Sequence, residues 1–179
     1  RPPAEAALAS YSAGLAVLDA AKGVGVDAST LKLKWPNDVL VGDAKLAGIL
    51  IETGMSGGQL WMAAGFGVNV ASAPKRSDRA TACLAQLPGG RGVTADRVLA
   101  PLDIAFRSRL ARLLGDGFGP TREAWLSHAA HLGKRVELTP ASGRVEGVLR
   151  GLADDGALII ELDGGALTHV RAGEISLLG

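Results

Sequence analysis

Hydrophobic and polar positions repeat with two different periods along this chain, and the changes of period predict its elements. Leu8, Tyr11, Leu15 and Leu18 recur at helical spacing, which predicts an amphipathic helix over 5–21 with Gly23 as its stop. From Leu31 the period falls to two. Leu31, Leu33 and Trp35 alternate with Lys32 and Lys34, as in a strand. Pro36 ends it, because proline offers no ladder donor and holds the residue before it extended. Further strands are predicted at 39–41, 45–52 and 59–70, with a turn at Gly42-Asp43 and turn material over 54–58. Residues 75–91 read as irregular. Thr94 is the expected N-cap of a long helix with the stripe Leu99, Leu102, Phe106, Leu110 and Leu113. Pro101 predicts a kink or a later start in it, and Gly115 and Gly117 a stop. A shorter helix is expected over 122–130, after Pro120.

Beyond Gly133 the texture changes again. Short alternating runs at 135–138, 144–149, 157–162, 167–170 and 174–177 are separated by Gly and Asp turns, which suggests a small β-barrel. The expected division is a first domain over 1–132 and a second over 133–179.

Composition narrows the classes. The chain has 179 residues, 47% apolar and 21% charged, so a packed core is expected and disorder is not. Aromatics are only 4% and glycines number 25, so the core must be aliphatic and many backbone positions bare. A net charge of +1 gives no argument for nucleic acid or an anionic membrane. No apolar run approaches the roughly 18 residues that span a bilayer. Arg1-Pro2-Pro3 does not open a signal peptide, and a single cysteine, Cys83, allows no internal disulfide; a cytoplasmic setting fits.

Three features carry candidate chemistry. On the 59–70 strand, side chains two apart share a face, and one face reads Ala63, Gly65, Gly67, Asn69. Three nearly bare positions ending in an amide suit a ligand lying on the sheet, or a helix packed closely against it. Lys45 opens an apolar strand and is placed with Ala47, Ile49 and Ile51. A cation there suits a carboxylate or phosphate, or a solvated strand end. Lys34-Trp35-Pro36-Asn37-Asp38 runs a cationic strand end into a rigid turn with an amide and a carboxylate. Such a turn either caps itself or presents polar groups to a polyphosphate. His128 and His131 share a helical face but lack a third ligand, so no metal site is expected of them.

Together these segments resemble the biotin–protein ligases. LKWPNDVLVGDAKLAGILIE over 33–52 is similar to the signature segment of that family. Ala64-Gly65-Phe66-Gly67-Val68-Asn69 resembles its glycine-alternating strand, and Gly173-Glu174-Ile175-Ser176 the end of its C-terminal barrel. The resemblance covers essentially the whole chain. It implies an α+β fold: a mixed sheet backed by helices, like a class II synthetase core, followed by a small SH3-like barrel. It implies ATP-dependent formation of biotinyl-adenylate, with Mg2+, and transfer of biotin to a lysine of a biotin carboxyl carrier domain. Lys45 matches the catalytic lysine that meets the biotin carboxyl and the α-phosphate. Gly48 and Gly65 match biotin-side glycines, and Lys34, Asn37, Gly67 and Asn69 the nucleotide side. A homodimer is possible; no nucleic acid contact and no membrane are expected of this segment.

Two departures matter. The family's Gly- and Arg-rich loop, which covers the adenylate, precedes this region in relatives; Gly89-Gly90-Arg91-Gly92 stands elsewhere and reads as loop. The active site is therefore expected to be N-terminally incomplete in these residues. Leu178 stands where some relatives carry an arginine near the nucleotide. The alternatives are a non-catalytic biotin- or nucleotide-binding remnant and a lipoate–protein ligase relative. The turn joined to a terminal barrel favours biotin.

Overall fold

The computed structural model describes residues 7–140 and 143–178. The first helix, α1 (Ala9–Gly23), begins later than its stripe suggests; positions 5 and 6 of the expected helix lie outside the described residues. It is not a surface helix. Tyr11, Leu15 and Leu18 are buried, and so are Ser12, Ala13, Ala16, Val17, Ala20 and Ala21. Small residues let other elements close around it on nearly every side, which a stripe of large residues does not reveal.

Strands β1 (Leu31–Lys34), β2 (Asp38–Val41), β3 (Ala44–Ser56) and β4 (Gln59–Val68) form a four-stranded meander in the order β1-β2-β3-β4. All three pairings are antiparallel, and parallel pairing among the described residues is limited to isolated bridges from Leu33 to Ala129 and from Lys45 to Thr81. The α+β expectation holds, while the sheet is mixed only through those bridges. Residues 54–56, read as turn, are strand. The true turn is Gly57-Gly58, both at positive φ, the backbone a two-residue hairpin requires. Gly54 is bare because the Trp61 ring crosses it: a Cβ there would sit 2.4 Å from that ring.

The register sets two unlike faces. Val39 pairs with Ala47 but Leu40 with Lys45, so Leu46 is an extra residue, a β-bulge. Leu46 and Ala47 are both buried. Past the bulge, Lys45 lies opposite Leu40 and Lys32, and so shares a face with Gly48 rather than with Ala47, Ile49 and Ile51. The placement read from strict alternation was wrong for this reason. The back face carries Leu31, Leu33, Val39, Ala47 and Ile49 into the core with α1, and Phe66 meets Phe106 edge-on at 5.2 Å.

Phe106 belongs to α2 (Ala95–Asp116), which runs through Pro101 from an N-cap at Thr94 that makes no side-chain capping bond. Its buried face is Val98, Leu102 and Leu113; Leu99 is 68% exposed, so the stripe is rotated from the one expected. The next helix, α3 (Phe118–Ser127), starts before Pro120, not after it. In the first turn a missing N–H breaks no helical bond.

Strands β5 (Arg135–Leu138), β6 (Val145–Leu152), β7 (Leu158–Glu161), β8 (Leu167–Val170) and β9 (Ile175–Leu177) form an antiparallel sheet in the order β8-β7-β6-β5-β9. All five strands contribute to the core: Val136, Leu138, Leu149, Leu152, Leu158, Ile160, Val170 and Ile175 are buried. Gly147 marks the tightest point, since a Cβ there would lie 2.3 Å from the Glu161 carbonyl oxygen. Because that obstacle is backbone, Gly147→Ala is expected to cost about 1–3 kcal/mol. A thermal melt of the variant against wild type checks it; an unchanged midpoint would mean that β6 and β7 separate freely.

Candidate functional site

The open face of the first sheet is where the sequence candidates meet. One cross-strand row reads Lys34, Asp38, Gly48, Gly67, one residue from each strand. Beside it lie Lys32, Leu40 and Lys45, and on the other side Leu50 opposite Gly65. Gly48 and Gly67 thus share this face with three lysines and a carboxylate. Among the described residues no helix fills the space over Gly65 and Gly67. A Cβ on Gly67 would meet nothing nearer than the Gly48 carbonyl oxygen at 3.6 Å, and one on Gly65 nothing nearer than the Leu50 oxygen at 3.7 Å. Close helix packing does not explain these glycines.

Gly48 is bare for a different reason. A Cβ there would stand 3.0 Å from the Lys45 ammonium and 3.5 Å from Asp38 Oδ1. The missing side chain leaves the channel through which Lys45 reaches Asp38, its ion-pair partner. Both side chains are largely buried, at 26% and 15% exposure. On this half-buried face, pairing lowers the cost of holding either charge.

The backbone of Lys45 is clamped. Its N–H donates to the Ala80 carbonyl at 2.9 Å, and its carbonyl accepts from Ala82 N–H at 3.0 Å. Asn69 fastens the clamp: its Nδ2 donates to the Lys45 oxygen at 3.3 Å and the Ala82 oxygen at 3.0 Å. Asn69 follows β4, and its amide nitrogen is spent on the protein. Asn37 is also engaged, donating from Nδ2 to the Ile49 carbonyl at 2.7 Å while its own carbonyl accepts from Ile49 N–H at 2.8 Å. Both asparagines hold backbone beside the open face.

At one end of this face a cavity of about 320 Å³ is lined by Lys34, Asp38, Leu40, Asp43, Lys45, Arg79, Ala80, His131, Ser176 and Leu177. The second sheet therefore helps to wall the site through β9. Sequence reasoning singled out Lys34 and Lys45 but missed Asp43, Arg79 and Ser176, and set His131 aside. Contacts between the irregular loop, β9 and the sheet carry no local pattern. Burial, and then the nearby Lys34 ammonium, hold the His131 imidazolium below its usual pKa. Among the described residues no three His, Cys, Asp or Glu side chains gather to hold a metal ion, and no helix is long and apolar enough to cross a membrane.

Comparison with known proteins gives this geometry a context. The model of the biotin/lipoate A/B protein ligase family matches residues 1–69, and that of the biotin protein ligase C terminal domain matches 131–178. The biotin–acetyl-CoA-carboxylase ligase of Paracoccus denitrificans is 39% identical over 160 residues, 87% of this chain and 67% of that protein. The Mycobacterium tuberculosis ligase of the same name is 34% identical over 174 residues, 93% of this chain and 60% of that protein. The Aquifex aeolicus biotin protein ligase in complex with biotin and ATP superposes with a TM-score of 0.78 at 26% identity, over 96% of this chain and 71% of that one. The chain thus spans about 60–67% of the length of these two curated relatives.

The two glycines of the central row should respond differently to substitution. Gly67→Val adds bulk over open space and is expected to leave stability within about 0.5 kcal/mol of wild type. Gly48→Ala forces the Lys45 ammonium away from Asp38 and should lower the melting midpoint measurably. Equal losses in thermal melts of the two variants would contradict the open face.

Proposed function

Because the chain belongs to the biotin–protein ligase family, we propose that its sheet face holds biotin and ATP for biotinyl-adenylate formation and passes the biotinyl group to a carrier lysine. The observation that carries this reading is the Lys45 ammonium beside bare Gly48, on a face left open at Gly65 and Gly67. In the first step a biotin carboxylate oxygen attacks the α-phosphorus of ATP, and pyrophosphate leaves with the bonding pair. In the second, the amine of a carrier lysine attacks the acyl carbon. AMP leaves and the amine loses a proton.

Lys45 suits both steps. Its ammonium can leave Asp38 for a carboxylate or phosphate oxygen, and a fixed cation stabilises charge as it gathers on the phosphoryl group. Asp38 keeps the ammonium ordered before substrate arrives. Gly48, Gly65 and Gly67 let the ligand lie against the sheet, biotin toward Gly65 and nucleotide toward Gly67. Lys34 and Arg79 supply positive charge to the end of the cavity where polyphosphate would lie. Asn37 and Asn69 act by holding Ile49 and Lys45 in place. Magnesium usually arrives on substrate phosphates and takes one or two carboxylates from the protein; Asp43, on the cavity wall, fits that role. Its chemistry there is to neutralise charge on the departing phosphates.

In this scheme residues 1–132 carry the chemistry and 133–179 form the barrel. The match of the biotin protein ligase C terminal domain over 131–178 supports biotin over lipoate as the acyl group. A biotin carboxyl carrier domain is the acceptor. The test supplies the protein with biotin, ATP, magnesium and a carrier domain, and follows pyrophosphate release and carrier biotinylation. Lys45→Ala is expected to slow adenylate formation by on the order of a hundredfold, the loss typical of one charge-stabilising donor. Wild-type rates in that variant would remove Lys45 from the mechanism, and transfer of lipoate in place of biotin would change the substrate.

A further inference from the structure

The second sheet meets the rest of the chain at the cavity, through β9, and also well away from it. One such place is a buried junction around Tyr11. Its hydroxyl donates to the carbonyl of Gly156, in the turn between β6 and β7, and accepts from the Trp35 indole Nε1–H at 3.0 Å. Trp35 is the residue from which the Pro36-Asn37-Asp38 turn leaves β1. A single hydroxyl therefore joins the barrel turn to the segment that carries the ion-pair partner of Lys45. Desolvation on burial pushes the phenol well above its usual pKa, so it remains a donor.

Several observations show that this contact is built rather than incidental. The Tyr11 ring is fixed edge-on against Trp125 at 5.4 Å and tilted against Phe118 at 5.2 Å. Gly156 has φ +81°, and a Cβ there would meet Leu8 at 2.7 Å and the Tyr11 ring at 3.1 Å. The barrel turn is braced from both sides: Asp154 pairs with Arg122 of α3, and Asp155 accepts from Arg171 and from Ala157 N–H. Turn, ring and indole thus stand in fixed relation.

We propose that Tyr11 is a positioning residue, through which the seating of the barrel sets the Trp35–Asp38 turn and hence the placement of the Lys45 ammonium. The inference rests on the proposed ligase reaction for its catalytic consequence but not for its structural one. Tyr11 touches no substrate. It acts through Trp35, then the Asn37 backbone bonded to Ile49, then Asp38.

Tyr11→Phe isolates the hydroxyl, because the ring keeps its packing. The amide of Ile49, whose N–H donates to the Asn37 carbonyl, reports on the turn. The amide of Asn69, whose N–H donates to the Leu46 carbonyl, reports on the Lys45 clamp, which the relay does not touch. Hydrogen exchange is expected to rise about tenfold at Ile49, the size of one net hydrogen bond, with Asn69 unchanged. Trp35→Phe removes the other half of the same bond and should reproduce the pattern. In adenylate formation, Tyr11→Phe should lower kcat severalfold with little change in KM for biotin, and adding Trp35→Phe should cost nothing further. Unchanged exchange at Ile49, a parallel rise at both amides, or additive losses in the double variant would each overturn the relay. If the wild type forms no adenylate while the exchange pattern appears, the ligase reading fails and the relay stands.

Discussion

The ladder between β2 and β3 slips by one residue at Leu46, and the arrangement of the site follows from that slip. In a regular strand, side chains alternate strictly between faces. An extra residue sends Leu46 and Ala47 both into the core and returns Lys45 to the open side, next to Gly48. Without it, the ammonium would point at the apolar layer under α1, where its desolvation could not be offset. The bulge lets one short strand be core at Leu46 and site at Lys45.

A charge held this close to a core needs a partner and a fixed backbone, and the fold supplies both. Asp38 lies opposite Gly48 on the neighbouring strand, so the pair forms across a position with no side chain. The main chain at Lys45 is bonded to Ala80 and Ala82, with Asn69 as the pin. Rigidity of this kind matters wherever a group must meet a developing charge, because reorganisation during the reaction is then small. The glycines along β4 serve the opposite end. They leave room rather than provide grip, and no side chain among the described residues occupies that room.

The two sheets are not independent in this design. β9 forms part of the cavity wall through Ser176 and Leu177, while the β6–β7 turn grips Tyr11 on the other side of the Trp35 turn. Both contacts close on the β1–β2 segment, which carries Lys34, Asn37 and Asp38.

The sequence by itself determined the element types, and it concentrated the candidate residues in 33–69. Period-two alternation in Leu31–Trp35 and bare alternate positions in Gly65–Asn69 are local signals, and local signals survive in a linear chain. The rotated face of α2, the early start of α3 at Phe118 and the near-complete burial of α1 were not legible, because each depends on what packs against the helix rather than on its own pattern. The bulge at Leu46 was invisible for the same reason: register is a relation between strands, and Leu46 looks like any strand residue. The roles of Asn69 and Asn37 as backbone fasteners, and the presence of Asp43, Arg79, His131 and Ser176 around one cavity, were decided only by tertiary structure. Those residues are far apart in the chain, and burial of a common apolar layer, not any motif, brings them together.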